Sequence, residues 1–190
     1  PFDYDKKAIK ESRQANDGKI IMRGILQKAN ALNQNGRVYP REILEREVRN
    51  YQKFIKENRA LGECDHPDSS VVNLKNASHI VREAYMEGDV CYGTVELLDT
   101  PSGKILQSLV ESGVTLGISS RGLGSTRTEG SHQVVQDDFQ LICWDYVSEP
   151  STPGAFMMKE SIDRKKAERL LEVFDQSDRI HRAVTEILEW

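Results

Sequence analysis

ASHIVREAYMEGDVCYGTVELLD, residues 77–99, is two β-rich runs hinged on Gly88-Asp89. A two-residue turn of that composition joins antiparallel strands, so the segment reads as a β-hairpin. Its neighbours extend the reading. KIIMRGILQK (19–28) is β-branched and apolar enough for a buried strand, ALGEC (60–64) is a short extended piece, and TLGISS (115–120) is a further strand. HQVVQDDFQLICWDYV (132–147) holds one or two more. Helices fall between them. Leu44, Val48, Tyr51 and Ile55 recur at steps of four, three and four after a first-turn Pro40, which predicts a helix over about 40–57. Thr100-Pro101 caps a second helix, with Ile105, Leu106 and Leu109 as its apolar face and Gly113 at its end. Hairpins stand where a parallel sheet would need helical crossovers. The fold class is therefore α+β, a mainly antiparallel, barrel-like sheet flanked by helices. A polar arm (1–18), a central domain (19–158) and a charged C-terminal helical segment (159–190) are the expected divisions.

At 190 residues with 38% hydrophobic and 29% charged residues, the chain is long enough to bury a substantial core. A net charge of −4 gives no positive field for phosphate backbones, so nucleic acid is not an expected partner. Cys64, Cys91 and Cys143 are odd in number and widely spaced, which points to reduced thiols in a cytoplasmic compartment. No apolar run nears the roughly 18–20 residues of a membrane span. The first residues, PFDYDKKAIKES, carry no signal-peptide core.

Chemistry gathers at GISSRG (117–122). Serine is a weak nucleophile until a base takes its proton, so the pair Ser119-Ser120 means little alone. Gly117 and Gly122 bracket it and permit close approach of a substrate backbone, and Arg121 with the N–H groups of an Arg121–Gly124 turn would meet a developing oxyanion. The plain alternative is a strand ended by glycines, with Arg121 in a surface ion pair. Of four histidines, His66 lies in the tightly punctuated G-E-C-D-H-P and is the candidate base. His79 alternates within a strand pattern, as a half-buried residue or a second ring near the first. His132 and His181 sit among polar residues. Asp145, a charge inside the apolar ICWDYV, must find a partner because burying it unpaired costs several kcal/mol. That partner is either the candidate imidazole or a structural arginine. Cys64, Asp65 and His66 are contiguous, and successive side chains diverge, so no metal site is expected, and no cofactor.

Three blocks in order, LNQNGRVYPREILEREV (32–48), ALGECDHP (60–67) and LGISSRGLGS (116–125), followed by VVQDDFQLICWDYVSEPSTPGAF (134–156), resemble the prohead maturation proteases of T-even-type tailed phages. That family is similar in fold to the herpesvirus assembly proteases. The resemblance implies His66 as general base and Ser119 as nucleophile. Asp145 is preferred as third member, with His79 the runner-up by analogy to the herpesvirus enzymes, and Arg121 and Gly122 are expected at the oxyanion. It further implies a serine endopeptidase that cuts scaffold and capsid proteins after glutamate, inside a prohead assembling in the host cytoplasm, and that forms a homo-oligomer. Self-cleavage near Ile187-Leu188-Glu189-Trp190 is a corollary. The competing expectation is a non-catalytic, ring- or tube-forming assembly protein of the same fold.

Overall fold

The computed structural model describes residues 18–159. In chain order the elements are β1 (Ile20–Lys28), β2 (Arg37–Val38), α1 (Arg41–Lys56), β3 (Leu61–Glu63), β4 (Ala77–Glu87), β5 (Val90–Leu97), α2 (Pro101–Glu111), β6 (Leu116–Leu123), β7 (Thr126–Glu129), β8 (His132–Val135), β9 (Gln140–Val147) and β10 (Phe156–Lys159). Seven strands form one sheet in the order β3-β4-β5-β1-β10-β6-β9. Every neighbouring pair in it is antiparallel. Its two outer strands nearly meet. Cys64, just past β3, bridges Tyr146 of β9, and the Asp65 N–H donates to the Tyr146 carbonyl at 2.8 Å. The sheet is thus an almost closed barrel, as the hairpins imply. A small second sheet, β2-β8-β7, contains a parallel pair, β2 with β8.

The hairpin at 77–99 forms with Gly88 at a φ of 59°, the left-handed turn geometry that favours glycine. Helix α1 buries Ile43, Leu44, Val48 and Tyr51, the three aliphatic side chains each contributing about 1.5–3 kcal/mol of apolar transfer. Tyr51 meets Trp144 of β9 edge-on, with ring centroids 4.8 Å apart. That contact anchors α1 beneath the strand pair β6–β9.

Helix α2 starts as expected, with Thr100 Oγ1 accepting the Gly103 N–H at 3.0 Å. Its buried face keeps Leu106, with Leu109 packed against the core as expected, and takes in Gly103 and Val110, while Ile105 departs from the expectation at 56% exposed. The cause is close docking at Gly103, where a Cβ would lie 2.0 Å from the Leu98 carbonyl oxygen and 2.7 Å from that of Ser78. The expected turn at Arg121–Gly124 also starts later, because β6 runs on to Leu123 through a bulge after Arg121. The short strands β2, β7 and β10 have no clear periodicity in the sequence. Beyond Gly18 and Lys159, the expected N-terminal arm and C-terminal helical segment lie outside the described residues.

Candidate active site

Strands β6 and β9 pair with Ser119 opposite Asp145, Ser120 opposite Trp144, Ile118 opposite Tyr146 and Arg121 opposite Cys143. Facing residues in an antiparallel pair share one side of the sheet, and successive residues alternate. Ser119, Arg121, Cys143 and Asp145 therefore occupy one face. Ile118, Ser120, Trp144 and Tyr146 occupy the other, where Ile118, Trp144 and Tyr146 join the hydrophobic core. Alternation alone separates the two serines.

The Asp145 carboxylate is fully buried, and each of its oxygens has partners. Oδ2 lies 2.9 Å from His66 Nδ1. Oδ1 accepts the Glu63 main-chain N–H at 2.9 Å, Arg121 Nη2 at 3.1 Å and the Cys143 thiol at 3.3 Å. Burial pushes this carboxyl upward, but the hydrogen bonds from His66 and Glu63 and the Arg121 charge hold it below the ordinary carboxylate value. An ionised Asp145 accepts from Nδ1–H, which fixes the tautomer and leaves Nε2 as the proton-accepting nitrogen of His66. Burial and Asp145 push the Cys143 thiol up, so it stays a protonated donor.

His66 lies on the segment after β3, past Asp65, whose φ of 68° turns the chain sharply. Its side chain is 40% exposed, against 0% for Asp145. The imidazole thus links a buried anion to the surface. Ser119 is 7% exposed, and its Oγ lies 3.1 Å from the Ser151 Oγ. Ser151 belongs to the loop between β9 and β10, whose backbone is held by the Gln34 N–H donating to the Ser151 carbonyl at 2.9 Å.

Three expected roles take a different form. Arg121 is not free to meet an oxyanion: Nη2 donates to Glu63 Oε1 at 2.9 Å, Nη1 donates to the Ser69 carbonyl at 2.9 Å, and Nε faces Asp145 Oδ2 at 2.8 Å as an ion pair without hydrogen-bond alignment. Gly122 gives its space to the Phe139 ring, which a Cβ would meet at 2.5 Å, and Gly117 gives its space to Pro150, also at 2.5 Å. A side chain at either position would collide with the packing beside the serines. His79 is fully buried on the core face, with Nε2–H donating to the Trp144 carbonyl at 2.8 Å and Nδ1 accepting from Ser78 Oγ at 2.9 Å. Burial lowers its pKa to about 4. It is Asp145, not His79, that hydrogen-bonds His66.

Sequence reasoning passed over Glu63 and Ser151. Glu63 sits in the short apolar strand ALGEC and is 1% exposed, the same signal of a charge among apolar neighbours that marked Asp145. Ser151 lies in a proline-rich loop, with no pattern to mark it. Among the described residues, no three His, Cys, Asp or Glu side chains are grouped to hold a metal ion, and no helix is long and apolar enough to cross a membrane.

Asp145 faces Ser119 across the strand pair and holds the His66 imidazole, and among the described residues Ser119 Oγ hydrogen-bonds Ser151 and not His66. This set of hydroxyl, imidazole and carboxylate is nonetheless the one that acyl transfer by serine uses. The class it marks is that of the serine hydrolases. Comparison with known proteins narrows it. The sequence model of the prohead core protein serine proteases matches residues 5–167. The prohead core protein protease of Enterobacteria phage T4 is 32% identical over 161 residues, covering 78% of this chain and 76% of the relative. The solved structure of the bacteriophage T4 capsid assembly protease superposes with a TM-score of 0.65 at 30% identity, over 68% of this chain and 82% of that one. The chain belongs to the prohead core protein serine protease family, and it is a serine protease of prohead maturation.

Proposed function

We propose that Ser119 is the nucleophile, His66 its general base and Asp145 the group that orients and charge-balances the imidazole. The observation that carries this reading is the 2.9 Å contact of His66 Nδ1 with an aspartate whose cross-strand partner is Ser119. His66 Nε2 takes the hydroxyl proton as Ser119 Oγ attacks the scissile carbonyl. The new imidazolium is stabilised by Asp145 and then returns the proton to the leaving amine. Water, activated by the same imidazole, hydrolyses the acyl-enzyme. With the Arg121 guanidinium committed to carboxylates, main-chain N–H groups stabilise the oxyanion. Ser151 Oγ, 3.1 Å away, is the hydrogen-bond partner of the resting Ser119 hydroxyl.

The substrates are scaffold and capsid proteins of the prohead, cut after glutamate inside the assembling particle. The test is cleavage of purified scaffold protein by the full chain. Ser119→Ala and His66→Ala should each lower cleavage by about 1,000-fold or more with an unchanged circular dichroism spectrum. Ser120→Ala should retain much of the activity, because its side chain lies on the other face. Loss in Ser120→Ala with retention in Ser119→Ala would overturn the assignment. Peptide mapping of the products should place the cuts after glutamate; cuts after other residues would remove that specificity.

A further inference from the structure

His66 is a partly exposed residue that must hold a ring in register with a buried strand pair. Asp145 grips one atom of that ring, which leaves the backbone beneath it to be fixed by other groups. The segment from Glu63 to Asn73 is closed on itself by one side chain. Glu63 Oε1 accepts the Asn73 N–H at 2.9 Å, ten residues further on, while the Glu63 main-chain N–H holds Asp145 Oδ1. Arg121 ties the middle of the same segment to the sheet through the Ser69 carbonyl, with its remaining N–H groups on Glu63 and Asp145. Both side chains are nearly sealed from water, Arg121 at 6% and Glu63 at 1% exposure.

Removing two carboxylates and a guanidinium from water costs several kcal/mol per ion, and well-packed apolar side chains of similar volume are often as stable. Stability is therefore a weak reason for these three ions. Geometry is a better one: the planar guanidinium alone reaches two carboxylates and a carbonyl at once, a fork that a point charge does not reproduce. The two carboxylates against one guanidinium also leave one net negative charge in the buried cluster, which an imidazolium on His66 neutralises.

We infer that Glu63 and Arg121 form a clamp that positions His66, fixing the segment that carries the base and the carboxylate that orients it. They are positioning residues and do not touch the scissile bond. The inference rests on the triad of His66, Ser119 and Asp145. The full chain is tested as Glu63→Ala, Glu63→Gln and Arg121→Lys, with kcat and KM on a peptide substrate, thermal melting, and the downfield proton resonance of the His66 Nδ1–H, identified by its loss in His66→Ala. Glu63→Ala and Arg121→Lys should lower kcat about 100-fold, the scale of a base displaced by about 1 Å, with KM nearly unchanged and the Nδ1–H resonance lost or broadened. Glu63→Gln retains an acceptor for the Asn73 N–H and Arg121, and should restore most of both kcat and the resonance. If Glu63→Ala does not fold, Arg121→Lys and Glu63→Gln carry the test. Lower melting temperatures with kcat and resonance intact would make the pair merely structural and overturn the inference. Failure of the triad itself would show separately, as cleavage surviving in Ser119→Ala or His66→Ala.

Discussion

Two histidines are tethered to successive residues of β9, His66 to the Asp145 side chain and His79 to the Trp144 carbonyl. One residue of pleat separates their environments. His79 is sealed against Tyr146, with ring centroids 4.7 Å apart, and both of its nitrogens are engaged by neutral groups. His66 stands at the surface with one nitrogen on an anion. An imidazole is useful for proton transfer when it can gain a charge and exchange a proton, and burial denies His79 both. The difference lies in which side of a strand pair each ring reaches rather than in the type of residue.

That contrast is most strongly tested on the outer face. Asp145→Asn should lower kcat by about 10,000-fold, because an amide that donates to Nδ1 favours the wrong tautomer at His66. A loss below about tenfold, with the fold intact, would remove Asp145 from the mechanism. The same variant reports on acid stability. The folded-state pKa of Asp145 lies below its ordinary 3.8, so its contribution is complete above that value and disappears as pH falls through the folded-state pKa. Melting curves of Asp145→Asn should accordingly lack that portion of the wild-type decline in strong acid.

The inner face gives a smaller effect in a different window. Burial lowers the His79 pKa from 6.5 to about 4, so the unfolded chain takes up the proton first as pH falls. Stability is complete above 6.5 and is lost progressively down to about 4, by roughly 3 kcal/mol if this group acts alone. His79→Gln should melt lower at neutral pH but show a flatter decline across that interval. An unchanged slope would mean that His79 is not the titrating group, and activity at neutral pH should respond to it only through folding.

Much of this arrangement is written locally in the sequence. The Gly88-Asp89 hairpin, the spacing of Leu44, Val48 and Tyr51, and the Thr100 cap each depend on a few adjacent residues, and each forms where those residues place it. Asp145 was legible as a buried charge in an apolar strand that needed a partner, and the family resemblance pointed to His66 and Ser119. What was not legible depends on contacts distant along the chain. Ile105 turns outward because Gly103 docks on Leu98 and Ser78, so the inward stripe runs through Gly103, Leu106 and Val110, and a glycine carries no apolar signal to mark it. Arg121 reads from the sequence as an oxyanion group or a surface cation at a turn, and the approach of Glu63, Ser69 and Asp145, 58, 52 and 24 residues away, is what buries it. Ser151 meets Ser119 because Pro150 fits beside Gly117, a match of shapes with no signature in composition.

The most direct test of the account is where a serine-directed fluorophosphonate attaches. Such a reagent forms a covalent bond only with a hydroxyl that a neighbouring base activates. Intact-mass and peptide mapping should find one adduct, on Ser119, formed by the wild-type chain and not by His66→Ala. An adduct on Ser120, or labelling of Ser119 that persists without His66, would contradict the claim that β6 presents its first serine to this imidazole.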